Sequence, residues 1–129
     1  MTNSINQVDE IQAHPLEKYI TFEIEVLPED TPLKGNVSAI DPEIDTETER
    51  KIQALLDAGC IWAWCIVRVT GTLGALSYTT YLGACSYSGQ KDFENCLYFA
   101  DMKYEISLEI QKQFKQLCEL MAGIESSVS

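Results

Sequence analysis

The chain is poor in positive charge and in histidine: nine Lys and Arg stand against twenty Asp and Glu, the formal net charge is −11, and one histidine is present in 129 residues. Too few cations are available to neutralise many phosphates, which excludes duplex nucleic-acid binding through a general basic surface. The sole histidine, His14, precedes Pro15, and no Ser, Cys or acid is patterned around it as in a catalytic triad. Walker, Rossmann, nucleophile-elbow, HExxH and zinc-finger patterns are all missing. The five cysteines (Cys60, Cys65, Cys85, Cys96, Cys118) are odd in number and lack C-x-x-C or other ligand spacing, so reduced thiols are expected, with no metal and no cofactor. Cys85 has no histidine suited to activate it, and enzyme is the weaker class. No apolar run is long enough to span a bilayer, and MTNSINQVDEIQ lacks the charged and apolar regions of a signal peptide; a cytosolic protein with no membrane partner is expected.

What is present is concentrated in one stretch. Gly59 to Tyr87 holds both tryptophans, three of the five cysteines and three of the six tyrosines. Two β-favouring runs, Ile61 to Thr70 and Ser77 to Ser86, flank Thr-Gly-Thr-Leu-Gly, the pattern of a hairpin whose loop is somewhat longer than two residues. A turn near Leu73-Gly74 sets Arg68 opposite Thr79, Trp64 opposite Gly83 and Trp62 opposite Cys85, and opposed residues share a face. Ala63, Cys65, Val67, Val69, Tyr78, Thr80, Leu82 and Ala84 then make a core face. Trp62, Trp64, Ile66, Arg68, Thr79, Tyr81, Gly83 and Cys85 make the other, where aromatics beside an arginine and a glycine gap suit a planar, anionic ligand. The same residues also read as a plain cover for the sheet's second side or as a contact with another subunit, with Gly83 making room for Trp64.

The rest of the chain supports this hairpin. Residues 1–16 read as an N-terminal arm that settles against a single domain over 17–123, and 124–129 as a frayed tail. Lys18 to Leu27 alternates as a strand whose glutamates, Glu23 and Glu25, face water and would blunt a sheet edge. Pro28 to Thr46 reads as a long loop, in which Lys34-Gly35-Asn36 is either a turn or a cation with backbone amides beside a ligand. Asp45 or Thr46 caps a short amphipathic helix from Glu47 to Ala58, stopped by Gly59. Phe93 is an inward anchor in a polar loop. From Leu97 to about Ala122, Phe99, Met102, Ile106, Ile110, Phe114, Leu117 and Met121 recur every three or four residues, a long helix whose apolar surface is widened by Leu108, Cys118 and Leu120 enough to meet another subunit. The expected fold is α+β: an antiparallel sheet of three or more strands with one short and one long helix packed on one face.

Pro32-Leu33-Lys34-Gly35-Asn36, Gly59 to Cys65 with its Trp-Ala-Trp, Tyr81-Leu82-Gly83-Ala84-Cys85-Ser86-Tyr87, Phe93 and Tyr98 to Met102 together resemble a family of short proteins encoded in bacteriophage and prophage genomes. The resemblance covers roughly residues 20–118. Thr80 stands where family members often have an Asp, so no role for that acid carries over, and Val37 to Asp41 only partly matches the family's connector. The resemblance implies a phage accessory protein acting in the host cytoplasm.

Three functions are set against each other. In the first, a non-enzymatic counter-defence protein sequesters a small nucleotide-type immune signal: Trp62, Trp64 and Tyr81 stack a base, Arg68 and Lys34 meet phosphates, and Ser86 and Asn36 read polar edges. In the second, an acidic inhibitor mimics nucleic acid towards a basic host defence protein. Residues 1–57 motivate it, with thirteen Asp and Glu against four Lys and Arg, whereas 58–129 carry seven against five. In the third, a phage structural or assembly accessory protein associates as a homo-oligomer through its C-terminal helix.

Overall fold

A computed structural model describes residues 13–37 and 42–128. The first twelve residues of the expected arm and residues 38–41 of the connector lie outside the described residues. The fold is α+β, with strands β1 (Thr21–Pro28), β2 (Cys65–Leu73) and β3 (Leu76–Cys85), and helices α1 (Pro42–Asp57), α2 (Gln90–Glu94) and α3 (Leu97–Val128). The antiparallel sheet runs β1-β2-β3, so β2 is central and the glutamate-bearing β1 is an edge. Short 3₁₀ turns occupy Glu17–Tyr19 and Ile61–Ala63. The described residues fall into two compact units, one from 13–23, 69–80 and 97–128 and the other from 24–37, 42–68 and 81–96, so each strand contributes to both.

The hairpin loop is tighter than its glycines suggest. Only Gly74 and Ala75 separate β2 from β3, and Gly74 takes φ +62°. A positive φ at the first of two turn residues is the II′ pattern, whose twist matches that of the strands. The register is set accordingly: Thr70 and Thr79 face each other, their hydroxyl oxygens 2.8 Å apart. This lies two residues from the expected pairing and places Arg68 opposite Tyr81. A shift of two preserves which side chains share a face, because the side-chain period of a strand is two. Burial along β2 alternates as expected, with Cys65, Val67, Val69 and Gly71 all buried and Ile66, Arg68 and Thr70 half-buried.

Helix boundaries differ from the sequence expectation at both ends of the chain. The short helix starts at Pro42 rather than Glu47, because a proline's fixed φ suits the first helical position, where no amide donor is needed. It closes as expected at Gly59, which takes φ +93°. The Gly59 amide donates to the Leu56 carbonyl (2.9 Å) and the Cys60 amide to that of Leu55 (2.9 Å), the double bond of a Schellman cap. The long helix continues to Val128, through the residues expected from 124 as a tail; Gly123 within it costs only about 1 kcal/mol.

In the first unit, Ile20, Val69, Phe99, Met102, Ile106 and Ile110 are buried. The helix approaches the sheet so closely at Gly71 that a Cβ there would lie 2.4 Å from Ile106 Cγ2. His14 is also buried: its Nδ1 accepts from the Leu16 amide (3.0 Å), which leaves Nε2–H to donate to Gln111 Oε1 (3.1 Å). The end of the N-terminal arm is therefore pinned by its histidine. In the second unit, Ile52, Ala63 and Trp64 form a core with Leu33, Val37, Leu56 and Cys60 packed against it.

Candidate functional site

The seven residues expected to bind a ligand all belong to the second unit, but the structure does not gather them. The cause is the 3₁₀ turn at Ile61–Ala63, which takes the place of the first three residues of the expected strand, delays β2 to Cys65 and ends the alternation that would have set Trp62 and Trp64 side by side. Trp64 turns inward, 6% exposed, and its indole N–H donates to the Thr31 carbonyl (2.9 Å). Trp62 packs elsewhere, with its ring 6.1 Å from Phe93 and 6.4 Å from Tyr87, while Tyr87 and Phe93 meet edge-on at 5.2 Å. The Tyr87 amide donates to the Trp62 carbonyl (2.8 Å), which fixes this trio to the backbone. Phe93 is fully buried, the anchor the sequence implied.

The remaining five are distributed as follows. Arg68 sits on the half-exposed side of β2 and forms an ion pair with Glu25 of β1. Tyr81 is exposed on β3, and Ser86 is exposed just beyond that strand. Lys34 and Asn36 form a turn in which Gly35 takes φ +81°, the Asn36 side-chain amide donates to the Pro32 carbonyl (2.6 Å), and the Gly35 amide donates to Glu49 Oε2 (2.9 Å). Lys34 lines a shallow cleft of about 330 Å³ with Leu33, Thr46, Glu49, Arg50 and Gln53, a lining that includes none of the aromatic residues. Gly83 does not make room for Trp64, since a Cβ there would meet only Glu29 Oε1, at 3.3 Å.

Two features outside that set carry chemical content. The first is at the end of β3. Ala84 takes φ +50°, a left-handed conformation rare for a residue with a Cβ. Its amide donates to Glu29 Oε1. The Glu29 carboxyl is held below its ordinary value chiefly by the Thr31 amide and then by that of Ala84. The irregularity reverses the expected orientation of Cys85, which lies with Cys65 on the covered side of β2, the two sulfurs 3.9 Å apart.

The second is the outer half of α3. Its inner stripe, Phe99, Met102, Ile106 and Ile110, is buried in the first unit. The stripe then continues as Phe114, Leu117, Met121, Ile124 and Val128, all 45–78% exposed. Their spacings of three, four, three and four are those of a coiled-coil seam. An apolar groove of about 530 Å³ runs beside its start, lined by Leu108, Gln111, Lys112, Phe114, Lys115 and Cys118. The stripe's first three residues, Phe114, Leu117 and Met121, were legible in the sequence. Ile124 and Val128 were hidden by the assumption that the helix ends near Gly123, and the 3-4 spacing itself is the signal that finds them.

Among the described residues no group of three or more His, Cys, Asp or Glu is placed to hold a metal ion. No helix among them is long and apolar enough to cross a membrane. No protein-family model, curated protein or solved structure matches the chain.

Proposed function

We propose that the protein acts as an assembly protein that pairs with a second copy of itself through the outer half of α3. The observation that carries this reading is the exposed row Phe114, Leu117, Met121, Ile124 and Val128 at heptad spacing. Such a seam is complementary to a copy of itself. The charges around it are sparse and of both signs, Lys112, Lys115, Glu119 and Glu125, so pairing here does not bring the acidic front of one copy's sequence against another.

Magnitudes place the pairing in the weak-to-moderate range. A fully buried side chain of this size contributes about 1.5–3 kcal/mol, so ten that are already half-covered contribute on the order of 10 kcal/mol. Association costs ~4–15 kcal/mol. A concentration-dependent dimer follows rather than an obligate one.

The nucleotide-sequestration reading needs Trp62, Trp64 and Tyr81 in one stack, and these side chains lie apart, with Trp64 buried and bonded to Thr31. The acidic-mimic reading gains no specific support, since Glu25 and Glu47 are paired with arginines and Glu29 is engaged with backbone amides. The phage setting rests on the sequence resemblance alone.

The test is light scattering coupled to size exclusion across a range of protein concentrations. The native chain should move from monomer to dimer mass, while Leu117→Glu and Met121→Glu stay monomeric with unchanged helix content by circular dichroism. A native chain that remains monomeric at every concentration, or glutamate variants that still dimerise, overturns the proposal.

A further inference from the structure

The pairing of Cys65 with Cys85 bears on a property independent of self-association. In a regular hairpin of this register Ala84 would stand opposite Cys65, and Cys85 would point to the other face. The left-handed φ of Ala84 turns the next side chain back, and the result is two thiols 3.9 Å apart in adjacent strands. The Cys85 thiol rests on the Cys65 carbonyl (3.2 Å) and the Leu82 carbonyl (3.5 Å), and the Cys65 thiol on that of Trp62 (3.6 Å). Cys65 is fully buried, whereas Cys85 is partly exposed.

We propose that Cys65 and Cys85 form an oxidation site, with Cys85 the residue attacked by hydroperoxides and Cys65 the thiol that resolves it to an intramolecular disulfide. Access divides the roles in this way, since Cys85 is the partly exposed residue of the two and Cys65 is fully buried. Acidity divides them in the same direction. The Cys65 thiol, as donor to the Cys85 sulfur, lowers the pKa of Cys85, opposed by burial and by the Glu29 carboxylate and helped by the Val67 amide. That same bond, with burial, pushes the Cys65 thiol up. The thiolate is the nucleophile in such reactions, and both shifts favour it on Cys85 over Cys65.

In the first step the Cys85 sulfur attacks one peroxide oxygen, the O–O bond breaks, and the departing oxygen leaves as water or alcohol with the thiol's proton, giving a sulfenic acid. In the second step the Cys65 sulfur attacks the Cys85 sulfur, the S–S bond forms as the S–O bond breaks, and the hydroxyl leaves as water with the Cys65 proton. One hydroperoxide is reduced by two electrons and two thiols are oxidised by two. The sulfurs must close by about 2 Å to reach disulfide length, which side-chain rotation at the irregular end of β3 can supply.

Mapping by mass spectrometry decides the matter. The full chain carrying Cys60→Ser is reduced, freed of reductant, exposed to hydrogen peroxide and digested with trypsin, which cuts after Lys51, Arg68 and Lys91 and so isolates Cys65 and Cys85 in separate peptides. The expected product is those two peptides joined, lighter than their sum by two hydrogens and separated again by dithiothreitol. Dimedone, which traps sulfenic acids, should label Cys85 several-fold more in Cys65→Ser than in the chain that retains Cys65. The proposal fails if peroxide yields no joined peptide, or if Cys85 takes up dimedone equally with and without Cys65. Because the joined peptide is sought in a chain with both thiols intact, poor folding of Cys65→Ser does not remove the test.

Discussion

Gly71 lies directly beneath Ile106, so close that its first possible side-chain carbon would sit 2.4 Å from Ile106 Cγ2, with Ile20 and Phe22 closing the remaining space. Contact at that range cannot be relieved by moving one flexible end, because Ile106 is itself fully buried and branched at Cβ. Gly71→Ala should therefore destabilise the fold by about 1–3 kcal/mol, the usual cost of overpacking. Combining it with Ile106→Ala, which removes Cγ2, should cost less than the sum of the two single changes, and chemical denaturation of the four proteins of the cycle measures the coupling directly.

Trp64→Ala should act on stability before it acts on any ligand. A large aromatic removed from a core costs about 3–5 kcal/mol. Trp64→Phe keeps most of the volume but leaves the Thr31 carbonyl without its indole donor, a loss of about 1 kcal/mol. Urea midpoints for both variants check this, and a Trp64→Ala protein as stable as the native chain would contradict the packing described here.

His14 and Gln111 should behave as one unit. Each loses a partner when the other is replaced, so His14→Ala and Gln111→Ala are each expected to cost about 1 kcal/mol and the double variant less than their sum. Limited proteolysis near residue 14 should rise in the same order, since the bond holds the end of the arm to the long helix.

Glu29 gives a pH signature. Its carboxyl is held below the ordinary 4.5 by the Thr31 and Ala84 amides, so the folded form binds its proton less readily than the unfolded chain. That contribution is complete above the unfolded value and disappears as pH falls through the lower folded one. Glu29→Gln should be slightly less stable than the native chain near neutrality, and the gap should close in acid below the ordinary carboxylate range. The effect is small, because the group is largely in water.

Residue types and periodicity carried the fold further than the site. Alternation in Phe22, Ile24 and Val26, and again in Val67 and Val69, marked β1 and β2, and the three-and-four spacing from Phe99 to Met121 marked α3. The register of the hairpin was missed by two residues because glycines at 71 and 74 both suggest turns. Gly71 is instead a strand residue whose missing side chain makes room for Ile106, a long-range reason invisible in local sequence. The candidate site was misread at the tryptophans for a similar reason. Trp-Ala-Trp looks like alternation, yet a 3₁₀ turn sends Trp64 to Thr31 and Trp62 to Phe93, partners 33 and 31 positions away. The nearness of Cys65 to Cys85 depends on the backbone at Ala84, which no residue pattern announces.

The two-residue turn at Gly74-Ala75 also sets an order of events in time. Thr70 and Thr79 are nine positions apart, so their strands can meet at little loss of chain entropy, whereas Arg68 and Glu25 are 43 apart, with α1 between them. The β2-β3 ribbon is thus the part that can form first, and β1 is the strand that arrives last. Until it does, one edge of β2 presents unpaired amides and carbonyls, and a chain caught at that stage is the one most open to pairing wrongly with its neighbours.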